Sequence, residues 1–356
     1  MTIYDVARKA GVSPSTVSRA FSRPGRVSAE TAARIRSVAE DLGYRAKPLH
    51  QACRDQKSST VVVVLPDVTN PVYFGLIRGI EEAAAAAGYG VMLADTRWSE
   101  AQERAVFDRA LVGFDGVISA GSRLSDRSLR AAASRCPTVL LNRIVPGTRS
   151  ANYDIAAGVG AALRHLADLG HRSVTYVAGP AESWADGMRW RAVRETAPQL
   201  GLKLYRVGPY MPTVPGGAAA AEAVRRHLPS AVVLFNDMLA IGLLGGLASA
   251  GIQVPGEVSV VGFGNMFGAD FCSPPLTTVA APMRGLGAAA FRQLEHAMRR
   301  APMNAQDVVT LPARLVVRRS TGPARGRRVL VPTRSRGADS ASAGRELRPA
   351  AVARSS

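Results

Sequence analysis

The sequence predicts a small all-α helix-turn-helix domain followed by a doubly wound α/β domain of two lobes. Three observations carry that prediction. Two short amphipathic helices with capping residues flank Gly11, strand–helix alternation begins at Thr60, and positive charge gathers at both ends of the chain.

The chain has 356 residues, of which 47% are apolar, enough for a large core. It carries 45 basic and 27 acidic side chains, a net charge of +18. Only Lys9, Lys47, Lys57 and Lys203 are lysine; the other basic residues are arginine. Residues 1–57 and 323–356 each hold +6, and the much longer middle holds the remaining +6. Such a charge suits an anionic polymer, nucleic acid first. No run of about 18 uncharged apolar residues occurs, so no membrane span is expected. The start MTIYDVARKA lacks the apolar core of a secretory signal. Cys53, Cys136 and Cys272 are odd in number and scattered, which favours a reducing cytoplasm. Neither a metal nor a cofactor is expected, since no His or Cys pair has ligand spacing.

Thr2 and Asp5 make a capping-box-like start, and Val6, Ala7 and Ala10 form the stripe of a first helix that Gly11 ends. Ser13 then caps a second helix with Pro14 at its first position. Val17, Ala20 and Phe21 share one face of it; Ser15, Ser18, Arg19 and Ser22 share the other. Small hydroxyls beside one arginine let a helix approach phosphates without repulsion, and an arginine can fork onto a guanine edge. A third helix starts at Ser28, points Ile35, Val38 and Leu42 inward, and ends at Gly43.

Residues 3–44 closely resemble the DNA-binding headpiece of LacI/GalR-family transcriptional regulators. The resemblance continues to about residue 322 through PDVTNP (66–71), HLADLGHR (165–172), NDMLAIG (236–242), VSVVGF (258–263) and SPPLTTV (273–279). It implies base contacts from Pro14, Ser15 and Arg19, with Arg19 the main reader. It implies phosphate contacts from Ser13, Thr16, Ser18 and Ser22. It also implies a homodimer on a pseudo-palindromic operator in double-stranded DNA, with half-sites about one helical turn apart. The expected domains are residues 1–45, a linker at 46–59, an effector-binding and dimerisation domain at 60–322, and a disordered Arg-rich tail at 323–356. Within the large domain the lobe boundary is expected near 155–160, with a late crossover near 280.

The linker departs from the family pattern. In relatives it resembles a hinge helix that inserts a leucine into the minor groove. Here Cys53 takes the leucine position, His50 a small residue's position, and Ala46 and Lys47 replace proline and asparagine. The hinge is expected to contact DNA through His50 and Cys53 but to kink it less. Cys53 reads as an inert small residue in preference to a redox sensor.

From Thr60, buried-strand runs alternate with amphipathic stretches: TVVVVLP (60–66), GVMLA (90–94), DGVIS (115–119) and PTVLL (137–141), then SVTYVAG (173–179), KLYRV (203–207), AVVLF (231–235) and VSVVGF (258–263). This rhythm means parallel sheets covered on both faces. The resemblance makes it a periplasmic-binding-protein-like clamshell whose cleft holds a small-molecule effector, a sugar, sugar derivative or organic acid. Open α/β sheets bind ligands at strand C-termini, and Asn70, Tyr73, Asn142, Arg189, Tyr210 and Asn236 follow such ends. As a set they match the family's effector positions. Gly264, followed by Asn265, replaces the acid that sugar-sensing relatives carry after the VSVVGF strand, and Val72 replaces an aromatic. Both changes argue against a simple hexose or pentose and for an anionic or less hydroxylated ligand.

No enzyme is expected. The run GFGNMFG (262–268) has one residue too many for a dinucleotide fingerprint, and no nucleophile elbow or phosphate-binding loop sequence is present. The expected function is a cytoplasmic, effector-controlled, sequence-specific transcriptional regulator, a repressor in the first instance. The alternatives are an activator or co-repressor-dependent regulator of the same family, a small-molecule binding protein with a vestigial headpiece, and a nonspecific DNA-compacting protein using its tail.

Overall fold

The computed structural model describes residues 3–22, 26–42, 58–303 and 307–324. Thr2, the linker residues Ala46, Lys47, His50 and Cys53, and nearly all of the tail fall outside them.

The N-terminal region folds as α1 (Ile3–Ala10), α2 (Pro14–Ser22) and α3 (Ala29–Asp41). Ser13 Oγ accepts from the Thr16 N–H at 3.2 Å, capping α2. Ser28 Oγ does the same for α3 from Thr31 at 3.3 Å. Each cap satisfies an otherwise orphaned donor and contributes about 1 kcal/mol. Gly11 turns the chain at φ +66°, where a side chain would be strained. Val6, Ala7, Ala10, Val17, Ala20, Ile35 and Ala39 form the shared core, with Phe21, Val38 and Leu42 packed at its edge.

The large domain holds two six-stranded sheets. The first contains β1 (Thr60–Leu65), β2 (Gly90–Asp95), β3 (Gly116–Ala120), β4 (Thr138–Leu141), β5 (Arg149–Tyr153) and β11 (Val308–Leu311). Its order is β11-β5-β4-β3-β1-β2, with every pair parallel. The second contains β6 (Ser173–Val177), β7 (Lys203–Val207), β8 (Ala231–Leu234), β9 (Ser259–Gly264), β10 (Thr277–Ala280) and β12 (Arg314–Val316). Its order is β12-β10-β9-β8-β6-β7, parallel except for antiparallel β12.

Helices cover the sheets as parallel pairing requires: α4 (Tyr73–Ala86), α5 (Glu100–Gly113), α6 (Asp126–Ala133) and α11 (Met283–Met298) in the first lobe. The second has α7 (Ile155–Asp168), α8 (Trp184–Thr196), α9 (Val214–His227) and α10 (Asp237–Ser249). Close helix contact depends on small residues. A Cβ on Gly79 would meet the Arg284 carbonyl, and one on Gly217 the Leu239 carbonyl. The chain passes between the lobes three times, at β5–α7, β10–α11 and β11–β12.

Four strands lie outside the expected runs: β5, β10, β11 and β12. β5 is RSANY, buried throughout despite three polar residues. Arg149 pairs there with Asp307 and donates to the Ala301 carbonyl at 2.6 Å, so burial without an apolar run is compensated. In the second lobe the buried His171 ring spans Ser230 Oγ at 3.0 Å, Ser259 Oγ at 3.1 Å and the Gly322 carbonyl at 3.2 Å. It thereby ties the last described residues to that sheet.

Candidate functional site

On α2, Val17 and Ala20 are buried while Ser13, Ser15 and Arg19 are exposed. Ser13 Oγ lies 2.9 Å from Ser15 Oγ and 2.8 Å from Thr16 Oγ1. Arg19 Nη2 donates to Ser15 Oγ at 3.3 Å, so these two side chains meet on the outer face one turn apart. Pro14 is half-buried at the first turn. Only the backbone of Ser18 and Ser22 is described. The helix N-terminus, with its free N–H groups, favours an anion beside Ser13.

Between the lobes lies a cavity of about 90 Å³. Asn70, Tyr73, Asn142, Arg189 and Asn236 all line it. Each follows the C-terminal end of a parallel strand, β1, β4, β6 or β8, where neighbouring loops diverge and leave a crevice. Tyr210 is not among the lining residues. It follows β7, the edge strand of its sheet, and its N–H donates to the Ala178 carbonyl at 3.1 Å while its ring lies over Gly208. The lining loops of that lobe instead follow β6, β8 and β9.

The polar groups divide into spent and unspent. Asn236 Oδ1 caps α10 through the Leu239 N–H at 3.0 Å, and its amide donates to the Pro212 carbonyl at 3.4 Å. Asn70 Oδ1 accepts from the Val72 N–H at 3.1 Å, and Asn142 Oδ1 from the Tyr153 N–H at 3.2 Å. Neither uses its amide donors on another described residue. Asn142 sits at φ +54°, a conformation asparagine tolerates better than most residues. Burial, reinforced by the neighbouring Tyr153 hydroxyl, pushes the Tyr73 phenol well above its ordinary range and keeps it a neutral donor.

Arg189 is the only cation of α8 that reaches the cavity. Its guanidinium carbon lies over two aromatic rings, 4.6 Å from the Phe235 centre and 4.0 Å from that of Phe263. It donates to the Phe235 carbonyl and, at 2.9 Å, to the Tyr153 hydroxyl of the opposite lobe. Its Nε is buried with no partner. One turn earlier, Asp186 accepts from Tyr176 Oη and the Gly179 N–H, each at 2.8 Å, and pairs with Arg206 at 2.9 Å. That network fixes the N-terminal turn of α8, and hence where Arg189 emerges.

Asp237 is the only acid among the lining residues. Its Oδ1 accepts from Thr278 Oγ1 at 2.6 Å and its Oδ2 from the Met266 N–H at 2.8 Å. Burial raises its carboxyl above the ordinary range, against the pull of those two bonds. Gly264 lines the cavity at φ +130°, and a Cβ there would stand 3.0 Å from Val72 Cγ2. The position expected to hold an acid in sugar-sensing relatives is thus one where this backbone resists any side chain.

Sequence reasoning did not single out Trp98, Arg143, Tyr153 or Trp184, which also line the cavity. Trp98 and Tyr153 carry a readable signal, an aromatic at or just after the end of a parallel strand. Arg143 follows Asn142 and is held by Asp126 at 2.7 Å and the Ser122 carbonyl at 2.9 Å.

Comparison with known proteins agrees with this architecture. Residues 2–47 match the family described as bacterial regulatory proteins, lacI family, and residues 163–321 match the periplasmic binding protein-like domain. The transcriptional regulator DegA of Bacillus subtilis (strain 168) is 30% identical over 90% of this chain and 98% of its own length. The transcriptional repressor CytR of Escherichia coli (strain K12) is 31% identical over 80% of this chain and 86% of its own. A solved complex of the transcriptional regulator CelR with cellobiose has a TM-score of 0.66 at 25% identity, covering 90% of this chain and 99% of that one. With a helix-turn-helix headpiece, a two-lobed ligand cleft and relatives of this identity along most of its length, the chain belongs to the lacI family of bacterial regulatory proteins.

Proposed function

We propose that the protein is a cytoplasmic, homodimeric repressor that binds a pseudo-palindromic operator and changes its DNA affinity when a small molecule occupies the cleft. Arg19 and Ser15, with Pro14, read base edges in the major groove. Ser13, Thr16, Ser18 and Ser22 contact the flanking phosphates. His50 and Cys53 of the linker contact the minor groove. Asn70, Tyr73, Asn142, Arg189 and Asn236 hold the effector. No catalytic role is assigned to any of these residues.

The observation that carries this reading is the cavity lined by both lobes, in a chain whose exposed α2 face joins Arg19 to Ser15. A ligand that touches both lobes binds one closure better than another, and that difference is what can shift operator affinity. CytR is named a repressor, and CelR was solved with cellobiose. The test is selection of bound fragments from genomic DNA by the purified protein near physiological salt. A shared pseudo-palindrome upstream of a few genes supports the reading. Recovery without sequence preference, lost when 323–356 is removed, would replace it with charge-driven binding.

A further inference from the structure

We propose that the effector is a small organic monocarboxylate with a largely apolar body, whose carboxylate is taken by the unpaired guanidinium of Arg189. The inference rests on the cleft being the effector site.

The ionisable lining of the cavity is Arg143, Arg189 and Asp237, with the tyrosines Tyr73 and Tyr153. Arg143 already has a carboxylate, that of Asp126. Asp237 spends both oxygens on Thr278 and the Met266 N–H, and burial draws it toward its neutral form. Asp186, on the same helix as Arg189, spends its oxygens on Tyr176, Gly179 and Arg206. Arg189 therefore makes no ion pair among the described residues, although it is only 8% exposed. Asp186 and Asp237 favour its charge from a distance, but no carboxylate touches it, and a ligand that supplies one in contact gains by doing so.

The geometry of the guanidinium limits what can supply it. The guanidinium carbon stands over the Phe235 and Phe263 rings, so a charged partner is best met along the edge, where the N–H groups point. Nη1 serves the Phe235 carbonyl and Nη2 the Tyr153 hydroxyl, each with one of its two N–H groups, which leaves one N–H on each nitrogen for a ligand. A planar carboxylate in the guanidinium plane suits such an edge. A neutral sugar can accept from the guanidinium through its hydroxyl oxygens, but it brings no counter-ion, and its own O–H donors seek carboxylate acceptors. No such acceptor is offered: Asp237 is spent, and Gly264 holds a backbone that a side chain would strain against Val72. Beside the amides of Asn70 and Asn142 the wall is mainly apolar, with Val72, Leu76, Trp98, Trp184, Met238 and Met283, and that share calls for an apolar body.

The experiment is calorimetry and tryptophan emission on the full chain, with benzoate as probe, benzamide as its neutral shape-mate, and ribose and cellobiose as sugars. Trp98 and Trp184 line the cavity, so an occupant alters emission whatever its class. Benzoate is expected to bind at least about tenfold more tightly than benzamide, the scale of a charge-assisted hydrogen bond. Arg189→Met is expected to erase that preference while the apolar body still binds, and Arg189→Lys to retain part of it. The Lys variant separates loss of charge from loss of fold. A sugar that binds more tightly than benzoate overturns the carboxylate class and leaves the cleft reading standing. Equal binding of benzoate and benzamide overturns it as well. No emission change with benzoate overturns the carboxylate class, and the effector reading of the cleft then stands or falls on the operator selection.

Discussion

Arg123 of the first lobe and Glu182 of the second meet at 3.0 Å, joining the two lobes beside the cavity lined by their neighbours Ser122 and Ser183. Glu182 is well exposed, and Arg123 is partly covered. Exposed pairs of this kind contribute about 0.2–1 kcal/mol and are weakened by salt. That is too little to hold the lobes shut, but enough to bias a closure equilibrium that lies near balance.

Arg123→Gln is expected to open the cleft slightly. Acrylamide should quench tryptophan emission more strongly in the variant than in the wild type at low salt. High salt should raise the wild type to the variant's level. A quenching difference that persists at high salt would mean the pair acts through packing.

Arg19→Ala should weaken binding to the selected operator by about 1–3 kcal/mol, the scale of one bidentate base contact, as read by mobility shift. The side chain is exposed, so the thermal midpoint should not move. Ser15→Ala should cost less, since one hydroxyl contact is weaker than a forked arginine and Arg19 stays in place. Equal losses from both would make Ser15 as strong a reader as Arg19.

Acidification should destabilise the second lobe through its histidines. Burial lowers the pKa of His171 and of His165 below the ordinary 6.5, against the pull of the Gly322 carbonyl on one and Asp168 on the other. The unfolded chain therefore takes up these protons first. Their contribution to stability is complete above about 6.5 and declines as pH falls below it, by at most about 1.4 kcal/mol per pH unit per histidine. Asp237, whose carboxyl is raised, works in the opposite direction. Comparing denaturation midpoints of wild type and His171→Asn across this range isolates the histidine part. A parallel pH dependence in the two proteins would remove His171 from the account.

Gly264→Asp, which would place an acid where sugar-sensing relatives carry one, should not create a sugar site. At φ +130°, and 3.0 Å from Val72 Cγ2, the new side chain should cost about 1–3 kcal/mol in denaturant melts. Val72→Ala in the same chain should return part of that cost. Unchanged stability with new ribose affinity would show that the loop adapts.

The headpiece and the strand–helix rhythm were legible because their signals are local. Ser13 and Ser28 cap helices whose apolar stripes repeat within a few residues. The strands TVVVVL and KLYRV are bounded runs of strand-forming residues. β5 was not legible, because Arg149 and Asn152 are buried by partners more than 150 residues away. Tyr210 has the same sequence signature as the lining residues, an aromatic after a strand. What separates it is the course of its loop, which sets its ring against Gly208 and away from the cavity, and only the fold reveals that. Trp98 follows the edge strand β2 and does line the cavity. The unpaired state of Arg189 was equally hidden, because it depends on what Asp186 and Asp237 do with their oxygens.

The three passages of the chain between the lobes make the pair inseparable at the level of the gene. One lobe is assembled from residues 60–153, 283–303 and 307–311, the other from 155–280 and 314–324. No single cut yields either lobe whole. A stop codon or a recombination point anywhere between Thr60 and Leu311 therefore damages both halves of the cleft together. A protease nick in one passage leaves the halves still tethered by the other two. Exchange of one lobe for a foreign counterpart would require several coordinated joints, so ligand preference is free to drift by substitution along the cleft walls and not by shuffling of its halves.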